Sequence, residues 1–366
     1  MGTPANIKPL TSLRFFAAMW VVLFHYWPHL AGGAERPALV AKGYLGVELF
    51  FVLSGFILCH VYLPSFEAGR FRYGDFIWAR LARIYPLHLA TLAGMGLMAA
   101  AAVAAGEAVD PNVLSWAALP ANITMTQAWG LAPVAGWNHP SWSISAEWFA
   151  YLTFPAFAAL AIAVRRWPGV AVAAALAFLS TLYVGFERIT GFPLTQATIA
   201  WGALRIVPCF VLGCALYLAW RSSAADRRKS LAGACFFGAA VIACAGFGAP
   251  DMITVAACGG LIITLAQVSK AGGRLGSQPI LVYLGEISYA VYMVCVPWQV
   301  LFVNLVAKTL HLQGKQVPLP LWLIFVVSLV PVAAAAHHLI EKPARETMKL
   351  WRSSHGHHKL ESAGAR

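Results

Sequence analysis

Residues 13–27 read LRFFAAMWVVLFHYW, an apolar run with Arg14 near its start and His25 near its end. A membrane-spanning helix needs about 20 predominantly apolar residues, and the run reaches that length when extended to 10–30. Lys8 before it and AGGA after it resemble a signal peptide. The run is too long for one, however, and Arg14 and His25 interrupt it as a cleaved apolar core is not interrupted, so it reads as a first transmembrane helix. Nine more such segments follow, at 43–63, 84–106, 146–164, 168–186, 198–220, 231–248, 252–268, 285–306 and 320–340. The 366 residues are 60% hydrophobic and only 11% charged, and the mean hydropathy is +0.69. These values predict an all-α integral membrane protein, a bundle of about ten transmembrane helices.

A net charge of +12 would suit nucleic acid, but topology accounts for it first. With the N-terminus inside, 20 of the 26 basic residues fall on the inner side, leaving only Arg36, Lys42, Arg188, Arg205, Lys308 and Lys315 outside or near it. The expectation is a multi-pass inner-membrane protein with both termini cytoplasmic, lipid around it and no nucleic-acid partner. All seven cysteines lie in apolar runs without a CxxC pair, so they read as small hydrophobes and no metal is expected. The longest stretch between spans, about 107–145, is rich in tryptophan, asparagine and proline and is expected to cover the outer mouth. Residues 346–366, with SSHGHHKLESAGAR, read as a disordered cytoplasmic tail.

Ionisable side chains at membrane depth are costly, and they mark candidate functional sites. Eleven residues separate Arg14 from His25, three helical turns plus about 20°, so both lie on one face roughly 16 Å apart along the axis. Arg14 could also simply reach the inner interface, and His25 could be a buried interhelical bond. In GYLGVELFFVLSGF, Glu48 stands about as far from the outer end of its helix as His25 from the end of the first. A hairpin would therefore pair carboxylate with imidazole and give a general base. In RFRYGDFIWARLARIYP, Arg80 and Arg83 stand at i and i+3, and two guanidinium forks can converge on one phosphate. In NHPSWSISAEWFAYLTFP, Ser143, Glu147 and Tyr151 share a face, with His139, Trp142 and Trp148 around them as a sugar-binding mouth. Spacing gives Arg205 and Glu286 no chemistry, and a structural ion pair is the default for each.

LRFFAAMWVVLFH, GVELFFVLSGF, ARLARIYPLH, SWSISAEWFAY, LGEISYAVYM and LIEKP occur in an order and spacing that resembles the membrane acyltransferase 3 family, from about residue 8 to 345. The resemblance implies a single membrane acyltransferase domain over 1–345 that transfers acyl groups, often acetyl, to exopolysaccharides, lipopolysaccharides or related acceptors. It implies a catalytic role for His25, a role for Glu147, and service to acyl-CoA by Arg14, Arg80 and Arg83. Where the family usually has a histidine after its SYxxYL motif, this chain has Cys295.

The expected reaction is O-acylation. Arg14, Arg80 and Arg83 hold the phosphates of acyl-CoA, most simply acetyl-CoA, with no metal. His25 is the general base, oriented by Glu48 or Glu147, while Ser143, Trp142 and Tyr151 contact a glycan or lipid-linked sugar. An acyl-His25 intermediate is the variant. The competing class is a secondary transporter or flippase, since buried His, Glu and Arg also build substrate pathways. No repeat between the halves supports it, and a non-catalytic scaffold would leave the Arg14–His25 track unexplained.

Overall fold

A computed structural model describes residues 6–33, 35–111, 113–312 and 315–352. Helix α1 (Lys8–Tyr26) is followed by α2 (Ala38–Ala41), which leads through a tight turn into α3 (Gly46–Glu67). Next come α4 (Tyr73–Ala104), α5 (Leu119–Ile123), α6 (Trp142–Leu152), α7 (Phe154–Val164), α8 (Pro168–Thr190) and α9 (Gly202–Ser222). The last are α10 (Arg227–Gly246), α11 (Asp251–Lys270), α12 (Pro279–Glu286), α13 (Ser288–Thr309) and α14 (Leu319–Ala336), the last continuing through a π turn at His337–Glu341 to Arg352. The all-helical membrane bundle is thus as expected. Among the described residues eight helices are long and apolar enough to cross a membrane, or nine if the pair α6 and α7, bent by 60°, is one span.

The exception is α1. Lys8, Arg14 and His25 dilute its 19 residues, and it begins inside the bundle rather than at its edge. Ile7, Pro9 and Leu10 are buried, and α12 packs across its start so closely that Gly285 lies against the carbonyl of Thr11, where any side chain would collide. The costly backbone end and the arginine of α1 are therefore enclosed by protein, where irregular and polar structure is tolerated at membrane depth.

The register of α1 against α3 follows from two more close approaches. Gly46 lies against Ala17, whose carbonyl oxygen would be 2.6 Å from an added Cβ, and Gly43 lies against Trp20. Such small residues let helix backbones touch in lipid. Gly55 and Gly213 do the same where α3 crosses α9, each meeting the partner's backbone.

Helix direction divides the bundle into two ends. Arg14, Arg80, Arg83, Lys342 and Arg345 gather toward one, the basic end, and the loops 27–37 and 105–141 close the other, the far end. The long loop is tied down. His88 Nε2 meets the Asn122 carbonyl at 2.7 Å, and the Asn138 amide donates to Thr91 Oγ1 (3.2 Å) and to the Met293 carbonyl (2.9 Å). At the basic end the Trp78 indole donates to the Met348 carbonyl and Arg352 to Asp75. Residues 346–352, expected in the disordered tail, therefore continue the last helix and dock on α4. The remaining tail, with His355, His357 and His358, lies outside the described residues.

Candidate active site

A cavity of about 540 Å³ opens at the basic end between α1, α3, α4, α6, α13 and the continuation of α14. Five cations line it, Arg14, Arg80, Arg83, Lys342 and Arg345, against two carboxylates, Glu147 and Glu286. Local structure explains the convergence. The three-residue step from Arg80 to Arg83 keeps both on one face of α4, and the four-residue steps of α6 present Ser143, Glu147 and Tyr151 to the same space. On α3, Val47, Phe50, Phe51, Ile57 and Val61 form the facing apolar stripe.

The guanidinium heads of the arginines are only partly engaged by protein. Arg80 donates to Tyr62 Oη (3.2 Å) and lies over the rings of Tyr62 and Tyr151. Arg83 lies over Tyr289 and is paired with Glu341, whose other oxygen is 2.9 Å from His337 Nδ1. Glu341 is buried, and the π turn brings it and His337 inward together. Arg80 Nε and Arg345 Nε are buried with no hydrogen-bond partner among the described residues. Buried charged donors left unmet are costly, and an anion relieves them. Glu147 Oε1 accepts from Ser54 at 2.8 Å, so its orientation is fixed. Toward the far end Ser143 donates to Tyr292 Oη (2.8 Å), and Tyr292 donates to the Pro140 carbonyl (2.8 Å), which roofs the cavity.

Arg14, Arg80, Arg83, Glu147, Ser143 and Tyr151 are thus brought together, although in one chamber with the cations rather than at a separate sugar mouth. His25, Glu48 and Trp142 are not part of it. The expected Glu48–His25 pair does not form. On the register set by Gly46 and Gly43, Glu48 is level with Phe15 and His25 with Ala38, so about 15 Å separates them along the axis. The reason is the connection. Residues 38–45 are already helical, so the second span starts earlier than an even hairpin assumes.

Glu48 instead takes both of its oxygens to Arg205, at 2.5 and 3.0 Å, in a fully buried bidentate pair. Arg205 also donates to the Ala197 carbonyl and stacks on Trp142, 4.5 Å from the ring centroid. Trp142 is therefore buried between Arg205 and Phe51 rather than open to a sugar. The default ion pair holds for Arg205. Glu286 forms none among the described residues and stands exposed at the cavity.

His25 sits at the far end of α1, edge-on to Phe24, within electrostatic reach of His139 and Arg36. Among the described residues its ring accepts and donates no hydrogen bond, so both nitrogens are available. Cys295 is buried in α13, its thiol bonded to the Tyr292 carbonyl, away from the cavity. Among the described residues no group of three or more His, Cys, Asp or Glu could hold a metal ion. Sequence reasoning gave no role to His337, Glu341, Tyr289, Tyr292, Lys342 or Arg345. The i, i+4 spacing of His337 and Glu341 was a signal, although a π turn is not visible in a pattern of residues.

A multi-span helical membrane protein with a cation-lined chamber closed by ordered carboxyl and hydroxyl groups fits an enzyme that takes an anionic substrate from one end. The chain belongs to the membrane acyltransferase 3 family, whose sequence model, described as an acyltransferase domain, matches residues 8–338. It is an acyltransferase moving groups other than aminoacyl groups. Acyltransferase MdmB of Streptomyces mycarofaciens is 33% identical over 322 residues, covering 79% of this chain and 78% of that protein. Protein 2 in picA locus of Rhizobium radiobacter is 32% identical over 159 residues, covering 39% of this chain and 78% of that protein. No solved structure matches.

Proposed function

We propose that the protein moves an acyl group from cytoplasmic acyl-CoA to a hydroxyl of a glycan or lipid-linked sugar on the other side of the inner membrane. The observation that carries this reading is the chamber itself, in which five cations converge beside two lining carboxylates, Arg83 alone of the five being paired, among the described residues, with a further buried carboxylate, Glu341. Guanidinium forks suit phosphate oxygens bidentately, and acyl-CoA is a polyphosphate with a thin arm able to enter a narrow channel. The excess of basic residues around the same end supports a cytoplasmic orientation for it and for both termini. At the far end, exposed Trp116 offers the kind of aromatic face that sugars use.

In this reading Arg80 and Arg83, with Arg14, Lys342 and Arg345, bind the nucleotide phosphates, and the thioester points toward Ser143 and Tyr292. His25 takes the proton of the acceptor hydroxyl, the oxygen attacks the thioester carbonyl, and the carbon–sulfur bond breaks. The proton then returns from His25 to the leaving thiolate. Val47, the residue of α3 that lines the cavity nearest the far end, lies about 14 Å below His25 along the helix axis. Transfer therefore requires the Ser143–Tyr292–Pro140 layer to part.

The test is transfer from labelled acetyl-CoA to membrane glycan by wild type and His25→Ala at matched expression, with CoA binding measured alongside. The variant should lose transfer by at least about 100-fold while binding CoA normally. Full transfer by His25→Ala would remove the base, and failure of the wild type to bind CoA would remove the donor.

A further inference from the structure

The cavity has two chemically different ends. Arg80, Arg83, Lys342, Arg345 and Glu286 lie toward the mouth, whereas the part nearest the far end is lined by Val47, Phe50, Phe51 and Ile144 under the hydroxyls of Ser143 and Tyr292, with Arg14 about level with Phe50 at the boundary between the two. Val47, Phe51 and Ile144 are all nearly buried, so little room remains between them. Phe50 retains more exposure and meets the Tyr292 ring edge-on at 6.2 Å, while Phe51 meets Trp142 at 6.2 Å.

Nothing can slip past this end along the seam of α1 and α3, because Gly46 and Gly43 bring those backbones into contact just beyond it. Trp142 cannot yield easily either, since it is backed by the buried Arg205–Glu48 pair. The wall is therefore fixed on α3 and α6 and meets a hydrogen-bonded roof on α13. A long-chain acyl group would have to displace one of these elements.

We infer that this closed end is the acyl pocket and that Val47, Phe50 and Ile144 set the length of the acyl group accepted, restricting it to short chains. The inference rests on the acyl-CoA reading. Phosphates bound by the cations put the thioester end of the donor under the roof, and the chain beyond the carbonyl must fit between these three side chains. A hydrophobic pocket discriminates one methylene by roughly 10–200-fold, so shaving a wall residue should change the order of preference rather than merely weaken it.

The experiment is competition for labelled CoA bound to the purified full-length protein. The competitors are acetyl-, butyryl- and hexanoyl-CoA, against wild type, Phe50→Ala and Val47→Phe. For the wild type, hexanoyl-CoA should compete more weakly than acetyl-CoA. Phe50→Ala should raise the hexanoyl-to-acetyl affinity ratio by about 10-fold or more, and Val47→Phe should weaken butyryl-CoA relative to acetyl-CoA. Each result is a ratio within one variant, so a partly unfolded preparation cannot mimic it. Ratios unchanged in both variants, with CoA itself still bound, would overturn the pocket assignment. Absence of CoA binding by the wild type would instead overturn the reading beneath it.

Discussion

Arg205 is the largest fully buried side chain among the described residues, and its donors are taken up by the groups around it. Its guanidinium is 1% exposed as a residue, with both Glu48 oxygens, the Ala197 carbonyl and the face of Trp142 around it. Removing one member of such a pair strands the other in a low dielectric, which costs about 3–5 kcal/mol, whereas replacing both by apolar groups can be nearly neutral. Arg205→Ala should therefore lower the unfolding midpoint in detergent sharply, and Glu48→Leu combined with Arg205→Met should recover most of the loss. If the double variant fell as far as the single one, the charge itself would matter beyond packing. Spacing offered no route to this pair. Glu48 and Arg205 are 157 residues apart, and each side chain alone is compatible with several partners. By contrast Arg80 and Arg83 were legible, because a three-residue step on a helix fixes a shared face before any tertiary contact exists.

At the scale of elements, the apolar runs locate most of the helices because lipid demands that the backbone satisfy itself within each span, although the runs number ten and eight or nine helices among the described residues are long and apolar enough. Depth was not legible in the same way. The even hairpin assumed between the first two spans put His25 beside Glu48, but residues 38–45 are helical and the glycine contacts set a different register. Register is decided by where small residues let backbones meet, and a single sequence contains more glycines than contacts. The crossing of α3 and α9 makes this measurable. Gly213 faces the backbone of Val52 with no room for a Cβ, whereas Gly94 has nothing within 4 Å. Gly213→Val should reduce the folded fraction severely, with loss of at least the 1–3 kcal/mol typical of overpacking. Gly94→Ala should leave the midpoint unchanged or slightly raised. Equal effects would mean that the crossing does not need close approach.

For the molecule as a whole, the orientation proposed from the basic residues predicts which loops reagents can reach. In a background with Cys235 and Cys244, the exposed and half-exposed cysteines, replaced by serine, a membrane-impermeant maleimide should label Asp110→Cys in intact cells. It should label Arg227→Cys only after the membrane is opened. The reverse pattern would put the cation-lined chamber on the side away from cytoplasmic CoA and remove its donor. The two ends differ in chemistry, with the cations and ordered carboxylates at one and, at the other, His25 and His139, whose rings make no hydrogen bond among the described residues.

The enclosure of the start of α1 also bears on how the protein is made. Thr11 rests on Gly285, and Ser12 bonds to the Gly276 carbonyl at 2.7 Å, so α1 is seated by residues synthesised more than 260 positions later. Until then, Lys8, Arg14 and His25 sit on a helix that is less apolar than the eight long spans and has no α12 packed across its start. The cation-lined chamber therefore closes only once α12 has been made, and a chain released before it carries Arg14, Arg80 and Arg83 without the elements that enclose them.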